Sequence, residues 1–150
     1  MKWLKYFGMM LLIALVGVQF IPTSLNQNTT VPSTDFIKAK GTPKSIALIL
    51  KVSCYDCHSN NTNYPWYSYV QPSAWFLEKH IKEGKAALNF SEFESYSDRK
   101  QRSKLRAMVG QIKNDEMPLL SYTFIHSEAK LSQEEKNALI EYLNFLKESI

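Results

Sequence analysis

The sequence predicts an all-α fold, in which a small helical domain with two long loops is preceded by an N-terminal membrane helix. From Gly41 onward, nearly every segment repeats its apolar residues at helical spacing. No segment alternates apolar and polar residues between hairpin turns, as the strands of a half-buried sheet do. The first twenty-odd residues form an apolar run led by two lysines, which is typical of a membrane helix or a secretory signal.

The N-terminal apolar run covers residues 6–21 and is closed by Pro22. Its length is near the lower limit for crossing a bilayer. Because the run ends without a small-x-small cleavage pattern, an uncleaved anchor is favoured over a removed signal. Lys2 and Lys5 would then stay cytoplasmic, which predicts a membrane-anchored protein on the periplasmic face of the cytoplasmic membrane.

The rest of the chain divides into a tether and one folded domain. Residues 23–40 are polar, contain Pro32 and show no sustained period, which predicts a flexible tether. Residues 41–150 are long enough for one domain with its own core. The net charge of the chain is +4 and there is no glycine-rich phosphate loop, so no nucleic-acid partner is expected.

Four helices are predicted in the folded domain. Thr42 can cap the first, with Pro43 in its first turn, and a capping box formed by Ser132 and Glu135 begins the last. Long loops at residues 59–71 and 115–131 connect them, and loops of that length in a small domain are often functional. The predicted helices cover roughly residues 42–54, 72–88, 98–114 and 132–146.

The two cysteines of the chain, Cys54 and Cys57, lie two residues apart and are followed at once by His58. A disulfide here would close a very small loop, a thioredoxin-like pair would need an α/β context, and structural zinc would need a fourth ligand. The C-x-x-C-H spacing instead favours covalent haem attachment. Two thiols one helical turn apart can add to the two vinyl groups of a haem and form the thioethers of haem c, and the next imidazole can bind the iron as proximal ligand.

A haem iron with two axial ligands needs a second one. Met117 is the favoured distal ligand, because it stands in a proline-stiffened loop outside any apolar stripe, whereas Met108 belongs to a helix stripe. His80, on the second predicted helix, is the alternative distal ligand. His126 is expected to be an ordinary loop histidine.

An aromatic cluster follows the motif, and within it Trp66 and Tyr67 are candidate haem contacts. Such side chains can line a haem and donate hydrogen bonds to its propionates, but ordinary core packing explains them equally well. Further along, the run "DRKQRSKLR" is expected to be a solvated helix face, with a docking surface for an acidic redox partner as the alternative. The other aromatic members of the cluster are Tyr64, Tyr69 and Trp75.

Five segments together form a recognisable pattern: "CYDCHSN", "YPWYSYVQPSAW", "HIKEGKAALNFSEF", "MPLLSY" and "LSQEEKNALIEYLN". In these segments the chain resembles class I cytochromes c, and more closely the haem-binding domain family of membrane-anchored bacterial c-type cytochromes. The resemblance extends over roughly residues 36–145. It implies a cytochrome c-like fold whose loops wrap the haem, with Cys54 and Cys57 as thioether sites, His58 as proximal ligand and Met117 closing the opposite side.

The leading functional hypothesis is a monohaem c-type cytochrome, an electron carrier rather than an enzyme, which exchanges electrons with redox partner proteins. Its haem iron would cycle between Fe(II) and Fe(III), and full axial coordination would exclude substrates. The alternative is a haem enzyme or gas sensor, peroxidase-like or binding diatomic gases, with an open or labile sixth coordination position. In that case His80 and the aromatic cluster could act as distal groups.

Overall fold

The computed structural model describes residues 2–150, and the regular structure in this range is helical apart from one isolated bridge between Gln27 and Asn61. The all-α prediction is therefore confirmed. Short 3-10 helices cover Trp66–Tyr69, Phe90–Ser95 and Ser127–Ala129. The α-helices are α1 (Lys2–Val18), α2 (Phe36–Ala39), α3 (Lys44–Ser53), α4 (Tyr55–His58), α5 (Ser73–Ala87), α6 (Asp98–Lys113), α7 (Leu120–Thr123) and α8 (Gln133–Ser149).

The predicted N-terminal membrane helix is wrong. Helix α1 ends at Val18, so its 17 residues are about 25 Å long, against about 30 Å for the hydrocarbon core of a bilayer. Residues 19–21, the end of the apolar run, form turns instead of continuing the helix. Within residues 2–150 no helix combines the length and the apolar character needed to cross a membrane. This finding also contradicts the predicted membrane-anchored localisation.

Three long helices, α3, α6 and α8, form the core together with the aromatic residues of α2 and the Phe90–Ser95 turn. The Phe36 and Phe93 rings meet edge to face with their centroids 4.8 Å apart, which is a favourable aromatic geometry. The largest fully buried side chains are Phe36, Leu50, Phe90, Phe93, Leu105, Leu139 and Leu143.

The ends of the predicted helices follow from local sequence. The Ser132 side chain accepts a hydrogen bond from Glu135 N at 3.2 Å, and Glu135 Oε2 accepts one from Ser132 N at 2.8 Å, so the capping box is confirmed. Helix α3 differs slightly from the prediction, because Pro43 is its N-cap and Thr42 lies outside it.

The stretch that precedes α2 contacts the body at residues 24–28, which we call the N-terminal strap. Asn28 N donates to Asn60 O at 3.0 Å and Thr62 N donates to Asn26 O at 2.9 Å. Further back, Gln71 N donates to Gln19 Oε1 at 2.9 Å. The strap therefore lies against the loop that follows the cysteine–histidine motif, whereas the division of the chain after residues 22 and 40 stays a prediction.

Candidate functional site

The cysteine–histidine motif forms one turn at the end of α3. Cys54 ends that helix with φ −132° and ψ −39°, and α4 begins directly after it. His58 N donates to Cys54 O at 3.0 Å, and Cys57 N donates to the same oxygen at 3.3 Å. Both cysteines are free thiols and partly buried. The two cysteines are therefore one turn apart in the chain, and His58 directly follows the second.

The His58 ring is held by a backbone carbonyl from the end of α5. Its Nδ1 lies 3.1 Å from Leu88 O. A carbonyl oxygen only accepts, so Nδ1 carries a proton, and Nε2 is the nitrogen left for a metal ion. Nε2 has no hydrogen-bond partner among the side chains and backbone of residues 2–150. This is the arrangement that orients a metal-binding histidine and raises the basicity of its free nitrogen.

Phe90 connects the motif to the core. Its ring stacks on Tyr55 with centroids 4.9 Å apart and nearly parallel planes, and it meets His58 edge to face at 6.2 Å. Tyr55 in turn donates its hydroxyl to the buried Asp35, which caps α2. The His58 ring is therefore positioned by Phe90, which the buried core holds in place.

Gly84 allows α5 to pass directly over the motif. A Cβ atom at this position would lie 2.7 Å from Cys57 O and 3.3 Å from Cys57 Cβ. Real Cβ atoms do not approach a backbone oxygen so closely, so only glycine fits without a shift of the backbone. The contact explains why a glycine stands inside a helix, where it costs conformational entropy.

Burial keeps both thiols protonated. Desolvation, followed by the charge of Cys57, raises the pKa of Cys54 from its ordinary value of 9.0 to about 12. Desolvation, followed by the charge of Asp56, raises the pKa of Cys57 to about 11. Thioredoxin-like cysteines have lowered pKa values, because the thiolate is the nucleophile. Within the described range, no three His, Cys, Asp or Glu side chains are grouped to hold a metal ion, so the motif does not gain the ligands that structural zinc needs.

The raised pKa values predict slow alkylation. With the Cys57 pKa at about 11, its thiolate at pH 8 is about a hundredfold scarcer than in the unfolded chain, and that of Cys54 scarcer still. We expect iodoacetamide to modify the folded, haem-free chain at least about a hundredfold more slowly than the urea-unfolded chain, with the rate rising steadily up to pH 10. Mass spectrometry of timed samples measures both rates. Equal rates at pH 8 would contradict the burial of the thiols.

A second group of polar and aromatic side chains adjoins the motif from the other long loop. Tyr122 donates its hydroxyl to Asp56 Oδ2 at 2.8 Å, and its ring stacks on His126 with centroids 4.5 Å apart. His126 Nε2 lies 2.6 Å from the Tyr67 hydroxyl, and its Nδ1 lies 3.3 Å from Glu128. Burial first, then the hydrogen bond with Asp56, raises the pKa of Tyr122. These contacts join both long loops to the motif.

The family comparison agrees with this geometry. A family model described as "Haem-binding domain" matches residues 13–145, which is nearly the whole chain. The chain belongs to the haem-binding domain family. Comparisons with curated proteins and with solved structures gave no match. This match confirms haem as the predicted cofactor, whereas its covalent attachment as haem c stays a prediction.

The motif of this haem-binding domain fits such a group. Its two cysteines are one turn apart, and His58, whose Nε2 has no hydrogen-bond partner, directly follows them. Trp66 is 79% exposed, so core packing does not explain it, whereas Tyr67 is half-buried and bonded to His126. These are the residues that could hold the haem: two thiols, an imidazole nitrogen and an exposed aromatic ring.

The two candidates for the distal ligand lie on different elements. Met117 is half-buried in the segment between α6 and α7, where its backbone N donates to Gln111 O at 3.3 Å. His80 is half-buried on α5, one turn before Gly84 and on the same helix face. His126 is bonded through both ring nitrogens, so neither is free for iron.

Sequence reasoning missed Leu88, Asp56 and Tyr122. Leu88 contributes only its backbone carbonyl group, which every residue has, so its residue type gives no signal. Asp56 stands inside the motif at a position open to any residue, and Tyr122 lies on a helix of four residues, too short for a periodic signal. The sequence offers only one hint of the bond between Tyr122 and Asp56: an acid inside the motif and a tyrosine in the second long loop.

Proposed function

We propose that this haem-binding domain is a monohaem c-type cytochrome that carries electrons. In this proposal Cys54 and Cys57 hold the haem through thioether bonds, and His58 binds the iron through Nε2. The haem, when bound, supplies a one-electron Fe(III)/Fe(II) couple. The protein supplies attachment, orientation and the environment that determines the potential.

The observation that carries the proposal is the hydrogen bond between His58 Nδ1 and Leu88 O. It leaves one nitrogen free on the residue that follows the two thiols, and it prevents the ring from turning away. The raised pKa values of both thiols favour S–H groups over the reactive thiolates of a redox pair.

In this proposal one further side chain would also bind the iron and exclude substrates from it. Met117 is our first candidate, because the segment that contains it continues into α7, which is tied to Asp56 through Tyr122. His80 is the second, because it shares a helix face with Gly84, which touches Cys57. A filled sixth position excludes substrate and oxygen, which separates a carrier from a haem enzyme or gas sensor.

Visible spectra with and without carbon monoxide test the electron-carrier function. We expect the reduced wild-type protein to bind carbon monoxide slowly or not at all. Either Met117→Ala or His80→Ala should open the sixth position and give rapid binding, with Met117→Ala the expected one. Met108→Ala is the matched control, since Met108 is buried in the core and should leave the spectrum unchanged. Rapid binding by the wild-type protein would contradict the carrier and favour the enzyme or sensor.

A further inference from the structure

We infer that Asn26, on the N-terminal strap, is a positioning residue for His58. The inference rests on the proposed function, because it concerns the ligand of the haem iron. Asn26 is distant in sequence from the motif, yet its side chain acts on the backbone both before and after His58.

The Asn26 amide group bonds the carbonyl oxygen of Ser59 directly, and it reaches the carbonyl oxygen of Asp56 through the Thr62 hydroxyl. Its Nδ2 donates to Ser59 O, directly after His58, at 2.8 Å. The same nitrogen donates to Thr62 Oγ1 at 2.9 Å, and Thr62 Oγ1 donates onward to Asp56 O at 2.6 Å. Asn26 and the buried Thr62 hydroxyl thus bracket the three residues around His58.

The remaining polar groups of Asn26 are also bonded. Its Oδ1 accepts from Lys85 Nζ at 2.7 Å, and its backbone N donates to the Tyr64 hydroxyl at 2.6 Å. Its backbone oxygen accepts from Thr62 N at 2.9 Å. Lys85 follows Gly84 on α5, so Asn26 also joins the strap to the helix that packs on Cys57. An asparagine bonded on every side fixes a single geometry of the segments around it.

The consequence for His58 concerns its bond to Leu88. If the carbonyl groups of Asp56 and Ser59 lose their partners, the turn that carries His58 can shift, and the bond from Nδ1 to Leu88 O weakens. A weaker bond at Nδ1 makes Nε2 less basic, so the ligand would stabilise ferric iron less strongly than it does in the wild-type protein, and ferrous iron would be less affected. The expected result is a higher midpoint potential.

The test compares Asn26→Ala with Asn28→Ala in the haem-loaded protein. Asn28 is the matched control: it lies on the same strap, but its side chain accepts only from Thr30 N, and its contact to Asn60 uses the backbone. We expect Asn26→Ala to shift the reduction equilibrium about tenfold toward the ferrous form, or about 59 mV. Asn28→Ala should leave the potential unchanged. Amide hydrogen exchange at residues 58–62 should accelerate in Asn26→Ala alone.

A second pair of variants covers the case in which Asn26→Ala does not fold. Thr62→Val keeps the shape of the side chain but removes the hydroxyl that links Asn26 to Asp56, so it should raise the potential in the same direction. Thr62→Ser keeps the hydroxyl and should restore the wild-type potential. Equal potentials for the valine and serine variants, or for Asn26→Ala and Asn28→Ala, would overturn the inference. A wild-type protein without covalent haem would instead overturn the proposed function itself.

Discussion

Replacing His58 with alanine is expected to abolish the low-spin absorption spectrum of the haem-loaded protein. His58 Nε2 is the free nitrogen nearest the two thiols in sequence, and Leu88 O fixes the ring that carries it. Without the imidazole the iron loses a strong-field ligand, and its spectrum should change to a high-spin form. Added free imidazole should restore part of the low-spin spectrum by occupying the vacated position. Absorption spectra of the oxidised and reduced protein measure both effects.

His126→Ala is the matched control for this experiment. Its ring is bonded to Tyr67 and Glu128, so its removal should change the contact between the two long loops and leave the iron spectrum low-spin. If His58→Ala and His126→Ala both gave the wild-type spectrum, the assignment of the proximal ligand would be wrong.

Replacing Gly84 with alanine is expected to destabilise the fold by about 1–3 kcal/mol, the usual cost of overpacking. The new Cβ atom would meet the backbone oxygen of Cys57, which cannot move unless the motif moves. This cost should exceed the gain of about 0.5–1 kcal/mol that alanine normally brings to a helix interior. Urea denaturation followed by circular dichroism measures the change in the free energy of unfolding.

Gly110→Ala supplies a control of the opposite sign. Gly110 lies inside α6, and a Cβ atom there would have no neighbour within 4 Å. The same substitution should therefore stabilise the fold by about 0.5–1 kcal/mol. If both variants were stabilised, α5 would not pack on Cys57 as closely as described.

Local signals in the sequence predicted much of the helical body. The stripe of Leu105, Met108 and Ile112 is buried as its spacing requires, and the Ser132 capping box begins α8. The basic run on α6 has its arginines exposed to solvent, as a charged helix face should. These features depend on neighbours within one or two helical turns, which a sequence displays directly.

The N-terminal prediction failed because the apolar run and the helix do not coincide. Hydropathy counts residues 6–21 as one run, whereas the helix ends at Val18 and begins with the lysine-bearing residues. The site itself depends on contacts between residues far apart in sequence. His58 meets Leu88 across 30 positions, and Tyr67 meets His126 across 59, and no local pattern encodes either pairing.

The most direct test of covalent haem attachment is the mass of the denatured polypeptide, purified from a host that can install haem. We predict a coloured protein whose mass exceeds that of the bare chain by one haem, and which loses this added mass when Cys54 and Cys57 are both replaced by alanine. A colourless protein, or one whose mass after denaturation equals that of the polypeptide alone, would contradict the attachment through these two thiols.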